Sequence, residues 1–144
     1  MKSRILIVDD DRNVIHMLVL FLVDLGYEVI PARDGLSAVT LAVKYLPDLI
    51  ILDVMMPKMS GYQTCEFIRR KEGLQNLPIV FLTAKGQPHD EEYGKKIGGS
   101  AYLTKPINFP VLEETIATLI HEHPMDFPNR PAVDLTDPGI QWVG

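Results

Sequence analysis

Leu49-Ile50-Ile51-Leu52-Asp53-Val54-Met55-Met56-Pro57 is the stretch on which the fold turns. Four apolar residues run into one carboxylate, and the chain then breaks at Pro57, with Gly61 close behind. An apolar run of this length, bounded by turn residues, predicts a strand buried on both faces. Asp53 then stands at the carboxyl end of that strand, where open α/β sheets place their ligands.

Similar runs lie on either side. Arg4–Val8 contains Ile5-Leu6-Ile7-Val8 and ends in three consecutive acids, Asp9, Asp10 and Asp11. Adjacent like charges repel and burial disfavours the ionised form, so this cluster requires a cation nearby. Helix N-capping accounts for Asp11 but not for the other two. Arg12–Leu25 has helical length and stops before Gly26. Its run Met17-Leu18-Val19-Leu20-Phe21-Leu22-Val23 is richer in apolar residues than one core-facing stripe needs. A well-buried core helix is preferred here over a partner-docking face.

Tyr27–Pro31 reads as a second strand and Leu36–Leu46 as a second helix, stopped by Pro47. A third helix runs from Ser60 or Gly61 to Arg70 and carries Cys65 as an apolar filler. Ile79-Val80-Phe81-Leu82 is a fourth buried strand leading into Thr83-Ala84-Lys85. A short helix over 89–97, a strand over 101–104 ending at Lys105-Pro106, and a helix from Phe109 to about Glu122 complete the series. Strands alternate with helices five times, which spells a doubly wound α/β fold: a five-stranded parallel sheet with helices on both faces. The domain is expected over residues 1–122. Residues 123–144, broken by Pro124, Pro128, Pro131 and Pro138, are expected to be a tail or linker remnant without an output domain. Such a tail either lies on the core through Phe127 or Trp142 or stays mobile.

The chain has 144 residues, 47% hydrophobic and 23% charged, enough for one ordinary globular core. A net charge of −5 argues against a non-specific binder of nucleic acid or of an anionic membrane. With one cysteine there is no intrachain disulfide. No apolar run reaches the roughly 18 residues of a membrane span, and a cytoplasmic location is the default expectation.

In a parallel sheet all carboxyl ends lie on one edge. That edge would gather Asp9 and Asp10 from the first strand, Asp53 from the third, Thr83 from the fourth and Lys105 from the fifth. Three carboxylates without a histidine or cysteine make a hard oxygen site suited to Mg²⁺. A hydroxyl and an ammonium beside it suit phosphoryl oxygens. A carboxylate can itself be the nucleophile and form an aspartyl-phosphate, and Asp53 at the middle strand is the natural choice.

The motifs Ile-Leu-Ile-Val-Asp-Asp-Asp at 5–11, Leu-Asp-Val-Met-Met-Pro-Lys-Met-Ser-Gly at 52–61, Leu-Thr-Ala at 82–84 and Gly-Gly-Ser-Ala-Tyr-Leu-Thr-Lys-Pro at 98–106 resemble the response-regulator receiver domain (CheY-like) of two-component signalling. The resemblance covers about residues 3–122. It implies the flavodoxin-like strand order 2-1-3-4-5. It implies Asp53 as phosphoacceptor, Asp10 as a direct Mg²⁺ ligand, Asp9 as a ligand through water, and the Met55 backbone carbonyl as a further ligand. Thr83 resembles the switch hydroxyl and Tyr102 its aromatic partner. Lys105 resembles the phosphate-contacting lysine, with a cis bond to Pro106. It further implies a switch rather than a turnover enzyme. The domain would be phosphorylated by a sensor histidine kinase or phosphotransfer protein, with intrinsic self-phosphorylation from small donors and slow autodephosphorylation. Output would pass through contacts with a downstream protein target, without direct nucleic-acid or membrane contact.

Met55 and Lys85 occupy the positions that in this family tune access of water to the phosphoryl group, and Met55 implies a long-lived phosphoryl state. Glu91, Ile97, Ser100, Ala101, Val111 and Thr115 stand where the transcription-factor branch carries dimerising charges, and most of that charge is missing. Dimerisation through that face is not expected. The chain could equally be the receiver portion of a longer regulator. A Mg²⁺-dependent aspartyl-phosphate phosphatase is the alternative from another class, but it would place a second acid where Met55 stands. A flavodoxin-type small-molecule binder would want a Gly- or Ser/Thr-rich loop where the three aspartates lie.

Overall fold

The computed structural model describes residues 2–84 and 91–143. Lys85 and His89, both used in the sequence reading, lie outside the described residues. In chain order the elements are β1 Arg4–Val8, α1 Arg12–Asp24, β2 Glu28–Ala32, α2 Gly35–Tyr45, β3 Leu49–Asp53, α3 Gly61–Arg69, β4 Ile79–Ala84, α4 Glu91–Lys96, β5 Ala101–Lys105 and α5 Phe109–Glu122. All strand pairings are parallel and the order is β2-β1-β3-β4-β5, as the resemblance implied. Each helix between successive strands carries the chain back to the opposite sheet edge, so every strand ends on the same side.

Strand alternation divides the core in two. Leu6, Val8, Ile50, Leu52 and Phe81 face α2 and α3, whereas Ile5, Ile7, Leu49, Ile51, Val80 and Leu82 face α1 and α5. The middle strand is buried at every residue.

Caps set where the helices begin. The Asp11 carboxylate accepts from Asn13 N (2.8 Å), that of Asp34 from Ser37 N (2.8 Å), and Ser60 with Gln63 forms a reciprocal capping box. Strand β2 extends to Ala32, past Pro31, because an edge strand tolerates a residue without an N–H.

Helix α1 differs from expectation. It buries Val14, Ile15, Leu18 and Leu22, but Met17, Leu20 and Val23 are 44%, 61% and 53% exposed. A single sheet face covers only one stripe of a helix, so the excess apolar residues point outward.

Residues 123–143 contain neither helix nor strand, yet they are bound to the body along their length. Arg130 donates to Leu46 O (2.8 Å) and Asp48 Oδ2 (3.1 Å), and Arg4 Nη1 donates to Pro131 O (2.9 Å). Asp137 Oδ2 meets Lys44 Nζ (2.7 Å) and accepts from Tyr45 Oη (2.6 Å). Gln141 N donates to Pro31 O (3.0 Å) while its side-chain oxygen accepts from Arg33 N (2.6 Å), which closes part of the free edge of β2. Phe127 is partly buried and Trp142 is 42% exposed; the deep anchor is Ile140, 5% exposed. No described helix is long and apolar enough to cross a membrane.

Candidate functional site

Register brings the site residues together. Val8 pairs with Leu52, Asp53 with Leu82, Thr83 with Thr104 and Ala84 with Lys105. Asp9 continues β1 by donating its N–H to Ala32 O (3.1 Å), and Val54 continues β3 by donating to Leu82 O (3.0 Å). The carboxyl ends of four neighbouring strands therefore open into one crevice.

One carboxylate oxygen from each of Asp9, Asp10 and Asp53 lies within 4.8 Å of the others. Asp9 and Asp53 are 0% and 3% exposed, and Asp10 lies at the surface. Lys105 Nζ stands 2.8 Å from Asp9 Oδ2 and 3.5 Å from Asp53 Oδ1, supplying the cation that the acid cluster required. Asp9 Oδ1 accepts from Asp11 N (2.9 Å), and Met55 N approaches Asp53 Oδ1 at 3.4 Å. Burial, followed by the Asp9 charge, pushes the Asp53 carboxyl up to about 7 despite Lys105. Burial also raises Asp9. Burial works to lower the Lys105 ammonium, but contact with Asp9 and then Asp53 outweighs it and the net shift is upward. The Lys105–Pro106 peptide bond is cis.

Two buried oxygens lack a directed hydrogen bond among the described residues, Asp9 Oδ2 and Thr83 Oγ1; the lysine contact to the former is an ion pair off hydrogen-bond geometry. Three carboxylates gathered within 4.8 Å, with no histidine or cysteine among them and with one buried oxygen lacking a directed partner, form the hard oxygen donor set that Mg²⁺ takes.

The structure thus gathers Asp9, Asp10, Asp53 and Lys105 at one place and sets the buried Thr83 at the end of β4, between the strands that carry Asp53 and Lys105. Tyr102 lies further along, on β5, with its ring 5.1 Å from that of Phe81 and its hydroxyl bonded to that of Tyr62. Met55 is 50% exposed on the loop after Asp53. Sequence reasoning missed Gly61. A Cβ there would lie 2.2 Å from Asp53 O, so α3 starts pressed against the acceptor's own backbone. A glycine four residues after the proline break was its only signal. Cys65 is buried, and burial pushes its thiol up to about 11, as suits a filler.

This fold and this acidic crevice define the receiver architecture. A family model for the response regulator receiver domain matches residues 5–117. Chemotaxis protein CheY4 of Vibrio cholerae superposes with a TM-score of 0.78 at 34% identity, covering 83% of this chain and 99% of that one. The receiver domain of a sensor histidine kinase from Pseudomonas aeruginosa, with magnesium coordinated in its active-site cleft, matches with a TM-score of 0.77 at 30% identity, over 84% of this chain and 99% of that one. The DNA-binding dual master transcriptional regulator RpaA of Synechocystis is 42% identical over 79% of this chain and 46% of that protein. The alkaline phosphatase synthesis transcriptional regulatory protein PhoP of Bacillus subtilis is 40% identical over 75% of this chain and 44% of that protein. The chain belongs to the response-regulator receiver family of two-component signalling. It spans about half the length of the curated relatives it matches. Their names leave the expectation of no nucleic-acid contact without support.

Proposed function

We propose that Asp53 accepts a phosphoryl group from a phosphohistidine of a sensor kinase or phosphotransfer protein, and that the modified domain signals by changing its protein contacts. The observation that carries this reading is the convergence of Asp9, Asp10, Asp53 and Lys105 on one crevice, with Asp53 buried on the central strand and Thr83 at the end of the next. One oxygen of Asp53 attacks phosphorus, the phosphorus–nitrogen bond of the donor breaks, and the imidazole leaves with its electron pair and takes up a proton.

Lys105 neutralises charge at the reacting carboxylate, and the buried Thr83 hydroxyl supplies a donor that the described residues leave unused. Asp10, Asp9, Asp53 and the Met55 carbonyl would hold Mg²⁺. When bound, that ion offsets the acid repulsion and the negative charge developing on the transferred group. Thr83 and Tyr102 then respond as the switch pair. The exposed Met55 side chain carries no hydrogen-bond donor to orient an attacking water, so the phosphoryl state persists.

The domain serves as a switch rather than an enzyme that turns over a metabolite, and a cytoplasmic location suits it. Residues 1–122 form the receiver unit, and 123–143 bind back onto it as a strap. Incubation with acetyl phosphate tests the reading. A single phosphoryl mass addition that needs Mg²⁺ and disappears in Asp53→Ala supports it, and no addition to the wild type with Mg²⁺ refutes it.

A further inference from the structure

Four aromatic rings meet beneath α4. The ring of Tyr62, the second residue of α3, lies 5.2 Å from Phe81 of β4, 5.5 Å from Tyr93 of α4 and 6.4 Å from Tyr102 of β5. The Tyr62 and Tyr102 hydroxyls share a hydrogen bond, and the Tyr93 hydroxyl bonds the Glu66 carboxylate across the α3–α4 gap. Gly94 on α4 leaves the space that the Tyr102 ring fills, since a Cβ there would lie 2.1 Å from the Tyr102 hydroxyl oxygen.

The residue before Tyr62 is the glycine pressed against Asp53. Gly61 N donates to Val54 O (2.9 Å), and a Cβ at this position would also lie 2.8 Å from Val54 Cα. A shift in the acceptor backbone must therefore move the start of α3, and with it the ring that carries the hydroxyl bonded to Tyr102. This connection is separate from the one through Thr83.

We propose that Tyr62 is a positioning residue for Tyr102, holding that ring in its seat beneath α4 and tying the seat to the backbone of Asp53. The proposal rests on Tyr102 as the switch aromatic and adds the residue that governs its orientation. A net hydrogen bond of ordinary strength shifts a two-state ratio by roughly 2- to 10-fold, enough to bias a ring between two rotamers.

The test labels the full chain with 3-fluorotyrosine and follows the Tyr102 fluorine resonance, assigned by single Tyr→Phe changes among the five tyrosines. Tyr62→Phe keeps the ring and removes only the hydroxyl. Gly94→Ala fills the seat with a methyl and favours the helix otherwise, so it reports the displaced ring in a folded protein. The Tyr102 signal of Tyr62→Phe is expected to move toward that of Gly94→Ala by a population change of roughly 2- to 10-fold. Tyr62→Leu, which also loses the ring, is expected to move it further. A Tyr102 signal unchanged in Tyr62→Phe and Tyr62→Leu while Gly94→Ala displaces it would overturn the proposal. Comparing wild type with and without beryllofluoride and Mg²⁺ tests the switch role of Tyr102 separately, so failure of that role is not confused with failure of the seat.

Discussion

Lys105 and Asp9 form the tightest charge contact of the site, with Nζ 2.8 Å from Asp9 Oδ2 against 3.5 Å from Asp53 Oδ1. The lysine is anchored by the acid beside the acceptor and needs only a small movement to serve a group carried by Asp53. Lys105→Met keeps most of the apolar stem and removes the charge. The rate of labelling by acetyl phosphate is expected to fall about 10²-fold while the circular dichroism of the fold is retained. A labelling time course equal to that of wild type contradicts this role.

In the proposed mechanism Met55 sets the lifetime of the modified state. Its backbone N–H approaches Asp53 Oδ1 while its side chain projects to solvent, 50% exposed. Met55→Asn places a side-chain donor and acceptor beside the phosphoryl group, where they can orient water. Loss of the phosphoryl mass, followed after removal of the donor, is expected to quicken several-fold. Equal or slower loss rules out Met55 as the brake.

The strap contributes to stability through Ile140, which sits with Leu41 and Tyr45 in the core on the α2–α3 face. Ile140→Ala removes the most deeply buried apolar side chain of a segment held otherwise by partly buried Met125, Phe127 and Val133 and by polar contacts. Equilibrium urea unfolding is expected to show a loss of about 2–4 kcal/mol. A loss under about 0.5 kcal/mol, as for a surface substitution, shows that the strap does not contribute to the folded unit.

Acid should loosen the strap through Asp137. Its hydrogen bond with Lys44, then those with Tyr45 and Gly139 N, hold its carboxyl at about 2, below the usual unfolded value of about 3.9. The stabilisation from a depressed carboxylate is fully present above the unfolded value and is lost as pH falls through the folded one. Emission of Trp142, next to Gln141, should therefore be constant from neutral pH to about 4 and change between about 4 and 2. Asp137→Asn should lack that step. A step of the same size in the variant assigns it to another group.

How much was legible in the sequence follows from the kind of signal each feature leaves. Buried parallel strands leave continuous apolar runs, so β1, β3 and β4 could be read directly, with Asp9, Asp53 and Thr83 at their ends. Their convergence follows from topology alone, because parallel strands end on one edge. The outward face of α1 was half legible: the excess of apolar residues over one stripe suggested that some stay exposed, but composition does not say how much sheet there is to cover them. Nor was the strap. Arg130 with Asp48, and Gln141 with Arg33, pair residues more than 80 positions apart, and an irregular proline-broken segment has no period to announce its partners. The Tyr62–Tyr102 bond escaped for the same reason: each tyrosine reads as an ordinary half-buried aromatic until the fold sets them face to face.

The central claim is that Asp53, rather than the neighbouring acids, carries the phosphoryl group, and the most direct measurement locates it. Protein labelled by acetyl phosphate with Mg²⁺ is reduced with borohydride, which converts an acyl phosphate to a stable alcohol, and its peptides are sequenced by mass spectrometry. The account predicts homoserine at position 53 and unmodified aspartate at positions 9 and 10. Homoserine at Asp9 or Asp10, or labelled protein with none at position 53, would contradict it.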